Sequence, residues 1–174
     1  LAASTGKKIL LHQGVINTNR RSDLVEKTFN LIPDDWIVYL IGVEKNSIPF
    51  KVNSDKVKFG GYIPYENLAD IWKQSDGVVI FYGTHDLNNK YCAPNRVFLA
   101  SNLCKPIISN ENPELKRFIN KHKNGIVVNS SNIQKQLGEF FANFNEICNN
   151  SKKIKNKFNY NSNHPITEIY DRFF

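Results

Sequence analysis

The apolar residues of this chain are grouped in six short runs, separated by amphipathic or polar stretches. Most of the runs are apolar throughout, as in WIVYLI and VVIFY, a pattern typical of strands that a parallel sheet buries on both faces. The predicted strands are residues 9–11, 36–41, 57–59, 78–82, 107–108 and 125–128.

Apolar residues at helical spacing predict the elements that connect these strands. The stripes follow residues suited to helix starts, with Ser22 as an N-cap and prolines at the first turn. Residues 149–163 are rich in Asn and Lys and show little periodicity. The predicted helices begin at Ser22, Pro64 and the Pro94-Asn95 turn, and cover residues 113–120, 133–147 and 166–174.

The order of these elements predicts the fold class. Strands and helices alternate almost strictly, which indicates an α/β protein with a doubly wound, mostly parallel, Rossmann-like sheet. A chain of 174 residues with 41% apolar content is large enough for one real core. We assign an α/β domain to residues 1–150, and a basic tail with a terminal helix to residues 151–174.

Ligands of such sheets gather at the carboxyl ends of the strands, where four loops are expected: residues 14–21, 42–55, 83–95 and 109–112. The first of these loops carries Arg20 and Arg21 just before a helix, and guanidinium groups pair bidentately with phosphate oxygens. The third leads into a helix start whose backbone N–H groups near Arg96 and Val97 would face an anion. Both loops favour a phosphate-bearing ligand.

The stretch YCAPNRVFLASNLCKPII, residues 91–108, resembles the segment of GT-B glycosyltransferases that lines the nucleotide-sugar site. A Pro-Asn-Lys-like turn starts that segment and a Gly-Lys-Pro-Val/Ile turn ends it. KILLHQG, WIVYLIG and KVKFGGYIPYENLADIWKQSDGVVI precede it in the order and spacing of the same family. Most of the chain thus resembles the carboxyl-terminal half of a group 1, family 4-like enzyme, the half that binds the donor.

The resemblance implies a function for this half. The reaction would be sugar transfer from a nucleoside-diphosphate sugar to an acceptor such as a polysaccharide or a lipid-linked glycan. It would need no cofactor, and an amino-terminal lobe would bind the acceptor, so this piece alone is expected to be inactive. The terminal segment would pack towards that lobe. Arg20 would contact the diphosphate, and the residues expected to bind the donor are Gly14, Arg20, Arg21, Pro94, Asn95, Arg96, Val97 and Leu99.

Several positions depart from the family pattern. Many relatives carry two glutamates eight positions apart, the second of which holds the ribose hydroxyls, and the matching residues here are Tyr91 and Leu99. Cys104 replaces the usual Gly before Lys-Pro, and Val15 replaces an Arg that often follows the first-strand Gly. Either the ribose is held differently or the donor site is weakened. The sequence identifies no catalytic residue.

Charge and composition indicate which classes of partner and which compartment to expect. The chain carries 23 Lys and Arg against 16 Asp and Glu, a net charge of +7, which favours anionic partners such as nucleotides or an acidic lipid surface. Three cysteines without metal spacing indicate a reducing compartment. We therefore expect a cytoplasmic protein that contacts the inner membrane face peripherally. No Asp-x-Asp cluster occurs, so no metal is expected.

Three other functions remain to be weighed. A non-catalytic nucleotide- or protein-binding module of the same fold is favoured by Leu99, and a nucleotide-sugar epimerase shares the two-lobed architecture. Nucleic-acid binding is disfavoured because the aromatic residues are spread over predicted core elements. The chain has neither a G-x-G-x-x-G after its first strand nor a P-loop, which argues against a dinucleotide dehydrogenase or a P-loop NTPase.

Overall fold

The computed structural model describes residues 6–51, 55–92, 94–155 and 157 of the 174-residue chain. Within them a single sheet has the strand order β3-β2-β1-β4-β5-β6, and every strand pair in it is parallel. This is the order of a doubly wound Rossmann sheet, so the predicted fold class is confirmed. The strands are β1 Lys8–Gln13, β2 Trp36–Ile41, β3 Val57–Gly61, β4 Gly77–Ile80, β5 Ile107–Asn110 and β6 Gly125–Val128.

Seven α-helices accompany the strands in the described residues. Two single-turn 3₁₀ helices, Thr18–Arg20 and Lys45–Ser47, lie in the loops that follow β1 and β2. The α-helices are α1 Ser22–Asn30, α2 Tyr65–Gln74, α3 Leu87–Tyr91, α4 Asn95–Asn102, α5 Pro113–His122, α6 Ile133–Ala142 and α7 Phe144–Lys153.

The core has two parts, one on each face of the sheet. Helices α1, α6 and α7 cover one face, where Phe29, Phe140 and Phe144 are buried. Helices α2, α4 and α5 cover the other, where Trp72 and Phe118 are buried. Because both faces are covered, the central strands need no polar side chain between their apolar ones, which explains the continuous runs in the sequence.

Two elements differ from the sequence prediction. The apolar stripe over residues 133–147 is divided between α6 and α7, because Asn143 leaves the helix and its side-chain amide donates to the Glu139 carbonyl at 3.0 Å. The stripe continues across this break, so Phe140 and Phe144 still pack together. The loop predicted over residues 83–95 contains α3, which the Asp86 side chain caps by accepting from the Asn88 N–H at 2.8 Å.

The carboxyl-terminal part of the chain is helical beyond the predicted point. Helix α7 runs to Lys153, across residue 150, and Ile154 is buried with the α5 side of the core. The division at residue 150 remains a prediction, and the predicted helix at residues 166–174 lies outside the described residues. Among the described residues, no helix combines the length and the apolar character needed to cross a membrane.

The strand order reverses between β1 and β4, the two central neighbours in the sheet. The connection after β1 leads to one side of this point, while the connection after β4 leads to the other. Loops diverge there and leave a crevice at the carboxyl edge, which is the usual ligand site of open α/β sheets. Arg20 follows β1, and Tyr82 and Arg96 follow β4, so the candidate chemistry is located at this crevice.

Candidate functional site

The loop after β1 is fixed against the end of β4 by a backbone contact. The Gly83 N–H donates to the Asn19 carbonyl at 2.7 Å, and a Cβ on Gly83 would lie only 3.0 Å from that oxygen. The Asn17 side chain caps the 3₁₀ turn by accepting from the Arg20 N–H at 3.1 Å. Together these contacts hold Arg20, which follows β1, beside Tyr82, which follows β4.

Arg20 and Arg96 meet on opposite parts of one tyrosine. The Arg20 guanidinium carbon lies 3.7 Å from the centroid of the Tyr82 ring, a stacking distance. The Arg96 guanidinium donates through Nη2 to the Tyr82 hydroxyl at 2.9 Å and through Nη1 to the Gln13 carbonyl. Two cations from separate elements thus share a single aromatic side chain at the crevice.

A buried asparagine fixes the backbone of Tyr82. The Tyr82 N–H donates to Asn110 Oδ1 at 2.9 Å, and Asn110 Nδ2 donates to the Tyr82 carbonyl at 2.7 Å. Asn110 ends β5 and is 1% exposed, so this pair of bonds replaces the ladder where β4 has ended. Tyr82 is therefore attached to the sheet although it lies beyond the strand.

No carboxylate in the described part of the chain compensates the charge of this cluster. Among the described residues, neither Arg20 nor Arg96 forms a salt bridge with a carboxylate. Burial lowers the pKa of Arg20, and the like charge of Arg96 lowers it further, against opposing effects of Tyr82 and Cys92. Arg20 Nη1 is buried and has no hydrogen-bond acceptor among the described residues. A cluster with this charge suits an anionic ligand.

Two adjoining concavities open beside the cluster. The smaller, about 210 Å³, lies over Gly14 and Gly42. The larger, about 470 Å³, lies between α2 and the start of α4 and includes Arg96, and it falls in the range typical of ligand clefts. Gln13, Tyr65 and Leu68 line both of them, so they form one cleft.

The cleft has an aromatic rim. Tyr62 and Tyr65, from the loop after β3 and the first residue of α2, are 85% and 86% exposed. Gln13 at its base is fixed from both ends, because its side chain accepts from Trp72 Nε1 at 2.7 Å while its carbonyl accepts from Arg96. Exposed tyrosine faces next to fixed cations suit a ligand that combines an aromatic ring with phosphate.

The structure brings together most of the residues predicted from the sequence. Gly14 adopts a φ of +97°, and a Cβ there would lie 3.9 Å from Arg96 Nη1. Asn95, Arg96 and Leu99 line the larger concavity, and Pro94 is the residue before α4. The Val97 N–H donates to the Pro94 carbonyl at 2.9 Å, so it is not free for an anion. At this helix start the Arg96 side chain faces the cleft instead.

Arg21 is the predicted residue that the structure directs elsewhere. Its guanidinium pairs with both oxygens of the Asp23 carboxylate at 2.9 and 2.7 Å and donates to the Ser130 hydroxyl at 3.2 Å. These bonds raise the pKa of Arg21 and lower that of Asp23. Arg21 therefore joins the loop after β1 to the loop after β6, whereas its neighbour Arg20 stacks on Tyr82.

The four positions that depart from the family pattern have different surroundings in the structure. Leu99 is half-buried in the cleft wall, so an apolar side chain occupies the place of the expected carboxylate. Tyr91 and Val15 are 59% and 60% exposed near the same edge. Cys104, in the turn that follows α4, has a φ of +56°, a conformation for which Gly is favoured.

Tyr82, Asn110 and Gln13 were not identified from the sequence. Tyr82 ends the apolar run VVIFY and reads as a strand residue, while the strand itself ends at Ile80. The available signal was its position directly before Gly83, at the carboxyl end of the predicted strand, because ligands of such sheets gather there. Within the described residues, no group of three or more His, Cys, Asp or Glu could hold a metal.

Comparison with known proteins identifies the fold. No protein-family profile matches the chain, and no curated protein matches it. Solved structures do match. WaaG, a glycosyltransferase involved in lipopolysaccharide biosynthesis, superposes with a TM-score of 0.64 at 13% identity, over 87% of this chain and 44% of WaaG. The chain therefore spans less than half the length of that relative.

Two further solved structures match the chain. Anabaena Alr3699/HepE in complex with UDP-glucose superposes with a TM-score of 0.64 at 12% identity, over 88% of this chain and 46% of that one. The C-terminal domain of a group 1 glycosyl transferase (LpcC) from Francisella tularensis gives 0.62 at 15% identity, over 85% of this chain and 83% of that domain. The chain has the fold of the carboxyl-terminal half of GT-B glycosyltransferases.

Proposed function

We propose that this chain is the donor-binding half of a glycosyltransferase that moves a sugar from a nucleoside-diphosphate sugar to an acceptor. The observation that carries the proposal is the pair of uncompensated guanidinium groups, Arg20 and Arg96, at the point where the strand order reverses. A diphosphate supplies the two negative charges that this pair lacks. The aromatic rim beside it offers a stacking face to the base.

The chemistry proposed for these residues is electrostatic. When the sugar leaves, negative charge grows on the diphosphate, and fixed cations close to it stabilise that charge more than they stabilise the ground state. Removing one such donor typically costs about 3 kcal/mol of transition-state stabilisation. Arg20 fits this role because one of its donors is buried and unused. The transfer needs no metal or cofactor in this proposal.

The acceptor side requires a second lobe. Six large apolar side chains are exposed among the described residues, and five of them lie at the carboxyl edge of the sheet: Val15, Tyr62, Tyr65, Leu87 and Tyr91. This clustering supports a partner that covers the edge, and an amino-terminal lobe of the same protein is the partner we propose. The acceptor is a polysaccharide or a lipid-linked glycan, reached from the inner membrane face.

A nucleotide-binding experiment tests the proposal. Thermal unfolding of the chain is followed with UDP, GDP, ADP, CMP and their sugar conjugates, because a ligand at about 100 times its Kd stabilises by about 2.7 kcal/mol. One nucleoside diphosphate is expected to raise the midpoint by several degrees. Arg20→Ala is expected to weaken that ligand at least tenfold, since a charge-assisted hydrogen bond contributes about 1.5–3 kcal/mol.

A matched arginine on the surface is the control. Arg117 pairs with Glu114 on α5, far in sequence from the crevice, and Arg117→Ala is expected to leave nucleotide affinity unchanged. Equal losses in both variants would point to non-specific charge attraction and would contradict the proposal. Absence of any nucleotide-dependent shift in the wild-type chain would also overturn it.

Leu99 supports a second candidate, a non-catalytic binding module. An apolar side chain lines the cleft where the resemblance places the carboxylate for the ribose. A degenerate site of this kind would bind a nucleotide or a protein without processing a sugar conjugate. The panel separates the two functions, because a donor site is expected to bind the sugar conjugate at least as well as the bare diphosphate, whereas the module is not.

A further inference from the structure

Tyr82 occupies an unusual position between two cations. Guanidinium groups repel each other, and the like charge of Arg96 accordingly lowers the pKa of Arg20. Yet the structure holds both against Tyr82, with the Arg20 carbon 3.7 Å from the ring centroid and the Arg96 carbon 5.3 Å from it. Tyr82 is 9% exposed, so the two guanidinium groups contact a side chain that is largely buried.

The two contacts use different parts of the tyrosine. Arg20 lies over the ring face, and stacking of this kind occupies the face of a guanidinium while its in-plane N–H groups remain available. Arg96 bonds to the hydroxyl oxygen, and its other terminal nitrogen bonds to the Gln13 carbonyl. Arg96 is therefore anchored by acceptors. Arg20 is held by its face, and its Nη1 has no acceptor within the part of the chain that the structure describes.

We propose that Tyr82 is a positioning residue for the diphosphate, holding Arg20 by its ring and Arg96 by its hydroxyl so that both cations face one ligand. This inference rests on the proposed donor-binding function and adds a residue to it. Asn110 fixes the position of Tyr82, because its side chain forms two hydrogen bonds with the Tyr82 backbone. Without the ring, Arg20 would lose its stacking partner and the two cations would separate.

The test separates the ring from the hydroxyl. Tyr82→Phe keeps the stacking face and removes the acceptor of Arg96, whereas Tyr82→Leu removes both. The dissociation constants of UDP, GDP and ADP are measured by calorimetry on the 174-residue chain, each beside the corresponding monophosphate. The ratio of monophosphate to diphosphate dissociation constants reports the contribution of the second phosphate. A merely structural role would weaken both nucleotides together and leave this ratio unchanged.

The ratio of monophosphate to diphosphate dissociation constants is expected to be highest in the wild type, lower in Tyr82→Phe and lowest in Tyr82→Leu. The ratio is expected to fall about threefold in the phenylalanine variant and about tenfold in the leucine variant, as expected for loss of a hydrogen bond and of a cation–aromatic contact. Tyr39→Leu is the matched control, because Tyr39 is a half-buried tyrosine of β2 that packs against Gly60. It is expected to lower stability without changing the ratio.

Each remaining outcome has a distinct meaning. If the wild-type chain binds none of these nucleotides, the proposed function fails and this inference fails with it. If the wild-type chain binds one diphosphate and Arg20→Ala weakens it, the proposed function stands. An unchanged ratio in Tyr82→Leu would then overturn the positioning role alone.

Discussion

Single glycines in this chain face opposite steric conditions, which gives a paired prediction. A Cβ on Gly125 would lie 2.0 Å from the Ile107 carbonyl oxygen, a backbone atom of the neighbouring strand, so Gly125→Ala must displace β6. Gly138 lies within α6, and a Cβ there meets nothing within 4 Å. We expect Gly125→Ala to destabilise by about 3 kcal/mol and Gly138→Ala to stabilise by about 1 kcal/mol.

Urea denaturation of both variants checks this pair. The same chemical change is made twice, so differences in side-chain hydrophobicity cancel between the variants. A shift of both midpoints in the same direction would contradict the steric explanation.

His12 predicts a pH dependence of stability. It lies in β1, 3% exposed, and burial followed by the charge of Arg96 lowers its pKa from 6.5 to about 3. Between pH 6.5 and about 3, His12 is therefore protonated in the unfolded chain and neutral in the folded chain. The stability of the folded chain consequently falls as the pH drops below 6.5. We expect a loss of about 1 kcal/mol per pH unit below pH 6 from this residue.

Unfolding free energies from pH 7.5 to 5, measured on the wild type and His12→Leu, isolate that contribution. The leucine variant removes both the titration and the unpaired Nδ1. His122→Gln is the comparison, because burial and neighbouring lysines also lower the pKa of His122. Parallel loss of stability in the wild type and His12→Leu would show that His12 is not the source.

At the scale of the elements, a close contact between Gly83 and the Asn19 carbonyl positions the loop after β1, and adding a methyl group to Gly83 tests its role. A Cβ on Gly83 would lie 3.0 Å from the Asn19 carbonyl oxygen, and the loop backbone must give way by a few tenths of an ångström. Arg20 follows Asn19 directly, so Gly83→Ala is expected to weaken the diphosphate ligand about fivefold while costing only about 1 kcal/mol of stability.

Affinity and urea midpoint are measured on the same samples. Gly138→Ala serves as the control, because it adds the same methyl group far from the crevice. Unchanged diphosphate affinity in Gly83→Ala would mean that the Gly83 contact does not position Arg20.

The regular elements were predictable because burial leaves its pattern in the sequence. WIVYLI and VVIFY are apolar throughout because both faces of the sheet are covered. The location of the Arg20 loop and of the start of α4 at the carboxyl edge follows from the order of the predicted strands and helices. The break at Asn143 left no gap in the apolar stripe, so periodicity could not show it.

The candidate site was predictable only in part, because the sequence pattern reports burial and not contacts between distant side chains. Position in the loop did not separate Arg20 from Arg21, although the resemblance favoured Arg20. Their side-chain partners in the structure distinguish them: Asp23 and Ser130 for Arg21, and Tyr82 for Arg20. Tyr82 itself was hidden in an apolar run. Local pattern reports which side chains are buried, whereas a site depends on which distant side chains meet, and that requires the fold.

At the scale of the whole molecule, the proposed function makes the carboxyl edge of the sheet one wall of a larger site. Five exposed apolar side chains border it, and the chain spans less than half the length of the glycosyltransferase WaaG. Arg20 and Arg96 would bind the diphosphate of a donor, but an acceptor must also be held against the sugar, and orientation of two reactants accounts for much of catalysis. We therefore expect binding without turnover.

The expected result is that the chain binds a sugar nucleotide with a Kd within about threefold of that of the bare diphosphate, since the phosphates supply most of the charge contacts. Free sugar, followed by NMR over hours, is expected to stay at the uncatalysed background. Arg20→Ala decides what any signal means. Sugar release that disappears in Arg20→Ala would contradict the need for a second lobe, because the described edge would then suffice for cleavage. Release that persists in the variant would come from another enzyme in the sample.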